Sequence, residues 1–115
     1  MRLRSDIFVS AYIRRCSLEG APAMLRRRGA AEAGAIMVKV DRLDGTCALF
    51  GPAPQTELAD RPGVDRVFAR MHRDPFIPVP DAEAKIARDV RFDPDLWVVE
   101  VEDRSGESRL DLAED

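Results

Sequence analysis

The chain has 115 residues, 45% of them hydrophobic and 34% charged, which bounds it to a single domain, 1–115, with one core and excludes wholesale disorder. Its formal charge of −3 conceals a split: nine basic against four acidic side chains over residues 1–42, and nine against seventeen over residues 43–115, so the overall balance argues against nucleic acid as a partner. No apolar run approaches the roughly 20 residues of a membrane span, and Cys16, Cys47 and the only histidine, His72, have no spacing that makes a disulfide framework or a zinc site.

The start, Met1-Arg-Leu-Arg4 followed by Ile7 to Ile13, imitates a signal peptide, but Asp6, Arg14, Arg15 and Glu19 interrupt the pattern. A cytoplasmic protein is expected, with both cysteines reduced and buried as small hydrophobes. Val9, Tyr12, Ile13 and Cys16 recur at helical spacing, and Ser5 or Asp6 can cap while Gly20 and Pro22 can stop, which predicts a helix over 6–19. Residues 22–29 read as a short strand that would send Arg26, Arg27 and Arg28 to alternating faces. Gly29 to Gly34 then serves as a connection.

The strongest signal is a hairpin over 35–51, two runs of branched and aromatic residues around Asp44-Gly45, a dipeptide suited to a tight turn. Ile36, Val38 and Val40 share the face expected to be buried, and Met37, Lys39 and Asp41 the polar one. The second run, Thr46 to Phe50, is apolar on both faces and asks for cover on two sides, for which the first helix and the 96–101 strand are the expected suppliers. Residues 53–63 read as a proline loop. Residues 64–71 fit helix or strand equally by pattern, and Asp74 to Pro80 is expected to be irregular. Asp81 then caps a helix over 81–92 with Ala82, Ile86 and Val90 inside and Glu83, Lys85, Arg88 and Asp89 outside. A late strand over 96–102 follows, with Trp97 as the core anchor. The tail 104–115 is acidic and expected to fray, unless Ser108 to Leu112 adds a last strand.

The predicted fold class is α+β: a mainly antiparallel sheet of four to five strands, with a helix before it and another ahead of the last strand. Arg2-Leu-Arg-Ser-Asp-Ile7, Ala33-Gly-Ala-Ile36, Asp44-Gly45 and, above all, Arg91-Phe-Asp-Pro-Asp-Leu-Trp-Val-Val-Glu100 resemble a family of short alphaproteobacterial proteins of unknown function. That resemblance covers nearly the whole chain and implies a strand near 66–71, but it brings no activity, cofactor or substrate.

Nucleophile elbows, phosphate loops and His-Glu-x-x-His pairs are absent. No catalytic, metal or cofactor residue is therefore assigned. Asp93, Asp95 and Glu100 form the one dense polar cluster, whose plain reading is a helix end and turn; a hydrolytic or metal-dependent site would need Asp93, Asp95 and His72 to converge. Arg14, Arg15, Arg26, Arg27 and Arg28 are the candidate anion-binding residues of the basic half. The leading expectation is a non-enzymatic domain that binds another protein or itself through a sheet edge. Anion or nucleic-acid binding is the alternative.

Overall fold

The computed structural model describes residues 2–54 and 64–113, so most of the expected proline loop and the last two residues of the tail lie outside the described residues. Helix α1 spans Ser5–Leu18, one residue ahead of its predicted bounds. Neither Ser5 nor Asp6 caps it as expected: the first amides donate to loop carbonyls, Ser5 N to Glu32 at 3.1 Å and Asp6 N to Ala31 at 3.0 Å. A side-chain cap is redundant once a neighbouring loop accepts those amides. At the other end Gly20 takes a φ of 86°, the left-handed stop that glycine permits.

The strands are β1 Ala23–Arg27, β2 Ile36–Asp41, β3 Thr46–Pro52, β4 Phe68–Arg70, β5 Ile77–Pro78 and β6 Trp97–Glu102, with helix α2, Val79–Phe92, between the last two. They form one sheet in the order β1-β6-β2-β3-β4, with β5 also on β3. Four of the pairings are antiparallel, and β2 with β6 is parallel. The sheet is thus mainly antiparallel, as predicted, and wider than the expected four to five strands because Ile77 and Pro78, read as irregular, pair with Cys47 and Thr46. The 64–71 ambiguity resolves to a three-residue strand.

The hairpin turn is broader than a two-residue dipeptide turn. Arg42 N donates to Thr46 O at 3.0 Å, and the left-handed residues are Leu43 (φ 64°) and Gly45 (φ 92°). Asp44 is not one of them; its Oδ1 accepts from Thr46 N at 2.9 Å and from Thr46 Oγ1 at 2.6 Å.

Each face of the sheet has its own core. On one, Val9, Tyr12 and Cys16 of α1 pack on Val38, Val40, Phe50, Trp97, Val99 and Val101. On the other, Ile86 of α2 packs with Met37, Leu49, Leu96 and Val98. Two expectations are corrected here. The second cover for β3 is α2, whereas β6 lies beside β2 within the sheet; and the face of β2 read as polar is buried, with Lys39 only 4% exposed beneath α2. Trp97 is the predicted anchor, 1% exposed, with Nε1 donating to Ala30 O at 2.7 Å.

The Asp-Pro-Asp turn explains why the 29–34 connection carries glycine. Ala30 N donates to Asp95 O at 3.0 Å, and a side chain at Gly29 or Gly34 would collide with the Asp95 carbonyl. The backbone wraps the turn so closely that no Cβ fits.

Candidate functional site

The two edges of the sheet are finished differently. At the β4 edge, Phe68 N donates to Asp111 O and Ala113 N to Phe68 O, each at 2.8 Å, so the segment after β6 closes the strand. This contact is a single parallel bridge, Phe68 to Leu112, in place of the last strand that the sequence allowed. Tyr12 Oη holds the same segment by donating to Ser108 O at 2.6 Å, and burial pushes the Tyr12 phenol pKa well up. Arg109, held in a left-handed conformation, reaches Glu19 at 2.9 Å and Asp103 at 3.5 Å.

At the opposite edge β1 pairs, among the described residues, only with β6. Met24 and Leu25 are 51% and 42% exposed, and Leu18 at the end of α1 is 77% exposed. Leu25 pairs with Val99 and Met24 with Glu100, so they project to opposite faces. A bulge between Leu25 and Arg27 ends the regular part of the strand.

Beside this edge lies the densest charge network in the protein. Glu83, predicted on the outer side of α2, instead faces the sheet: it takes Lys39 Nζ at 2.7 Å and both Arg26 Nη atoms at 2.8 Å. Glu100 joins Arg26 at 3.0 Å and Lys39 at 3.5 Å. These guanidinium and ammonium groups lower the Glu83 pKa to about 2, with the Arg26 hydrogen bonds as the largest cause. Burial opposes the charge on Lys39, but the surrounding carboxylates outweigh it and hold its pKa above the ordinary value. Every charge here is matched, so the network anchors α2 and β1 to the sheet.

The candidate residues from the sequence fall in separate places. Arg15 is paired with Glu19 at 3.1 Å, Arg26 belongs to the network, and Arg27 donates to the carbonyls of Pro94 and Leu96. Arg14 and Arg28 line one shallow surface hollow with Asp6, Ile7, Ser10 and Ala11. Asp93 Oδ1 accepts from Asp95 N at 3.0 Å, a turn contact, while Glu100 is tied to Arg26 and Lys39. Asp93, Asp95 and His72 do not form a metal-capable group: among the described residues no three histidine, cysteine or carboxylate side chains do. Sequence reasoning missed Lys39, Glu83, Tyr12 and Arg109. A lysine within an otherwise apolar strand run was the one signal that could have flagged the first two.

No helix among the described residues is long and apolar enough to cross a membrane. Among the described residues the architecture defines a class: a small α+β protein whose mixed sheet carries one helix on each face. Within that class, residues 3–111 match the family described as "Protein of unknown function (DUF1491)", and the chain belongs to it. It is similar to the crystal structure of a member from Caulobacter crescentus, with 42% identity, a TM-score of 0.78, and coverage of 99% of this chain and 100% of that one. The solution structure of a protein from A. tumefaciens is similar at 38% identity with a TM-score of 0.81, covering 100% of this chain and 98% of that one. No curated protein matches.

Proposed function

We propose that this protein is a non-enzymatic interaction domain of the cytoplasm that pairs with a second copy of itself through the open edge of β1. The observation that carries this reading is the contrast between the edges: β4 is closed by the segment after β6, whereas β1 presents exposed Met24 and Leu25 with, among the described residues, no strand beyond it. An unpaired edge offers a row of backbone donors and acceptors to another strand. Two-fold pairing centred on Met24 sets Met24 against Met24 of the other copy and Ala23 against Leu25, with no like charges opposed. The bulge before Arg27 confines pairing to the start of the strand, which favours a closed pair over an open ladder. The buried free thiols of Cys16 and Cys47 accord with a reducing compartment.

Light scattering after size exclusion, over a concentration series, tests this. A concentration-dependent dimer is expected, and Met24→Lys, which opposes two ammonium groups across the axis, weakens it by about tenfold or more. A strict monomer at high concentration, or a dimer indifferent to Met24→Lys, overturns the reading. Anion or nucleic-acid binding by the basic half ranks below it, because Arg15, Arg26 and Arg27 already have partners.

A further inference from the structure

A hollow of about 490 Å³ lies between the turn after β4 and the C-terminal segment, lined by Arg70, His72, Arg73, Pro75, Leu112 and Ala113. Among the described residues its lining contains two guanidinium groups and no carboxylate. By contrast, Arg4, Arg15, Arg26, Arg66, Arg88 and Arg109 each have a carboxylate within ion-pair distance.

Arg70 is fixed in place without an acid. Its guanidinium carbon sits 5.0 Å from the Phe50 ring centroid and 5.8 Å from that of Phe76, and Nη1 donates to the Pro75 carbonyl. Among the described residues its remaining N–H donors have no acceptor. Arg73 is exposed and, among the described residues, makes no hydrogen bond or ion pair.

His72 shapes the turn that carries both arginines. Its Nε2 accepts from Leu49 N at 3.0 Å, which leaves Nδ1 to carry the proton and donate to Asp74 O at 2.6 Å. Met71 N donates to Leu49 O at 2.9 Å, clamping the same turn to β3. Burial, reinforced by Arg70, lowers the His72 pKa and keeps the ring in this neutral, two-bonded form. Both ring nitrogens are spent on backbone, so His72 positions the turn and the arginines supply the donors.

We propose that this hollow binds the phosphoryl group of a small phosphate monoester, with Arg70 and Arg73 as its donors. Two guanidiniums, neither with an acid partner among the described residues, match a dianion in charge and offer forked donors that fit phosphate oxygens. Pro75, Leu112 and Ala113 provide an apolar wall for the organic part, and the volume lies in the range of small-molecule sites. Two cations are too few for a nucleic-acid track, which draws on a longer row of phosphate contacts.

The test is an amide NMR titration of the full chain with glycerol 3-phosphate, with succinate as a dicarboxylate of similar size. Saturable shifts confined to residues 70–75 and 112–113 are expected, with succinate weaker by about tenfold. Arg73→Gln, at an exposed position outside the core, should weaken the phosphate ester by about tenfold or more while leaving the remaining amide spectrum in place. Shifts that never saturate, succinate binding as tightly as the ester, or an Arg73→Gln variant with unchanged affinity would each overturn the proposal.

Discussion

The two edges of this sheet show how one chain can finish the same kind of backbone in opposite ways. The β4 edge is three residues long, yet Phe68 is capped by residues 111–113, far along the chain, anchored by Tyr12, Arg109 and two backbone bonds to Phe68. The β1 edge is five residues long and has arginines, a bulge and exposed apolar side chains, but, among the described residues, no strand beyond it. Closure costs chain length and ordering entropy, which the first edge meets through a long-range tail. The second edge keeps its backbone available, and that availability is the basis of the proposed self-pairing.

Ending the chain after Glu107 should erase the contrast by opening both edges. The loss of the Phe68 backbone bonds, the Tyr12 contact and the cover from Leu110 and Leu112 is expected to cost about 3–5 kcal/mol. Thermal unfolding followed by circular dichroism would read that loss, and light scattering should detect association beyond a dimer. A truncated chain as stable as the parent would show that the tail closes nothing of consequence.

Met24→Lys should act in the opposite sense, discouraging pairing at the open edge while changing the stability of the monomer by no more than about 0.5 kcal/mol, as befits a half-exposed position. Denaturant unfolding at low concentration measures it. Tyr12→Phe loosens the closed edge alone: removing the donor to Ser108 O should cost about 1 kcal/mol, read from the denaturant midpoint.

The mildest probe is pH at the Glu83 contact that ties β1 to α2. Because the folded pKa of Glu83, about 2, lies below its ordinary 4.5, the contribution is complete above about pH 4.5 and is lost as pH falls toward 2. Glu83→Gln should therefore flatten the dependence of stability on pH across that window, most visibly in low salt. An unchanged slope would show that Arg26 and Lys39 are satisfied without it.

Legibility in the sequence followed the range of the interactions. The Asp93-Pro94-Asp95 turn is a local contact, with Asp93 Oδ1 accepting from Asp95 N, and such contacts lie within reach of a reading along the chain. Glu83 was misplaced because its neighbours along α2, Lys85, Arg88 and Asp89, suggest a solvated face. Its real partners sit on β1 and β2, 57 and 44 residues away. The hollow at Arg70 and Arg73 was equally hidden. Nothing near these residues in sequence announces Phe50 beneath Arg70 or the Leu49 amide that holds His72.

By itself the sequence determined the element types: the hydrophobic periods of α1, α2, β2, β3 and β6, the stop at Gly20, and the placing of Trp97 in the core. Those follow from local backbone preference and from which side chains water rejects. Only the tertiary structure decided that β6 runs parallel beside β2, that α2 buries Lys39, that one edge is capped while the other stands open, and that Arg70 and Arg73 line one hollow. Each of these depends on bringing together segments tens of residues apart, and a period read along the chain carries no record of which distant segment will arrive.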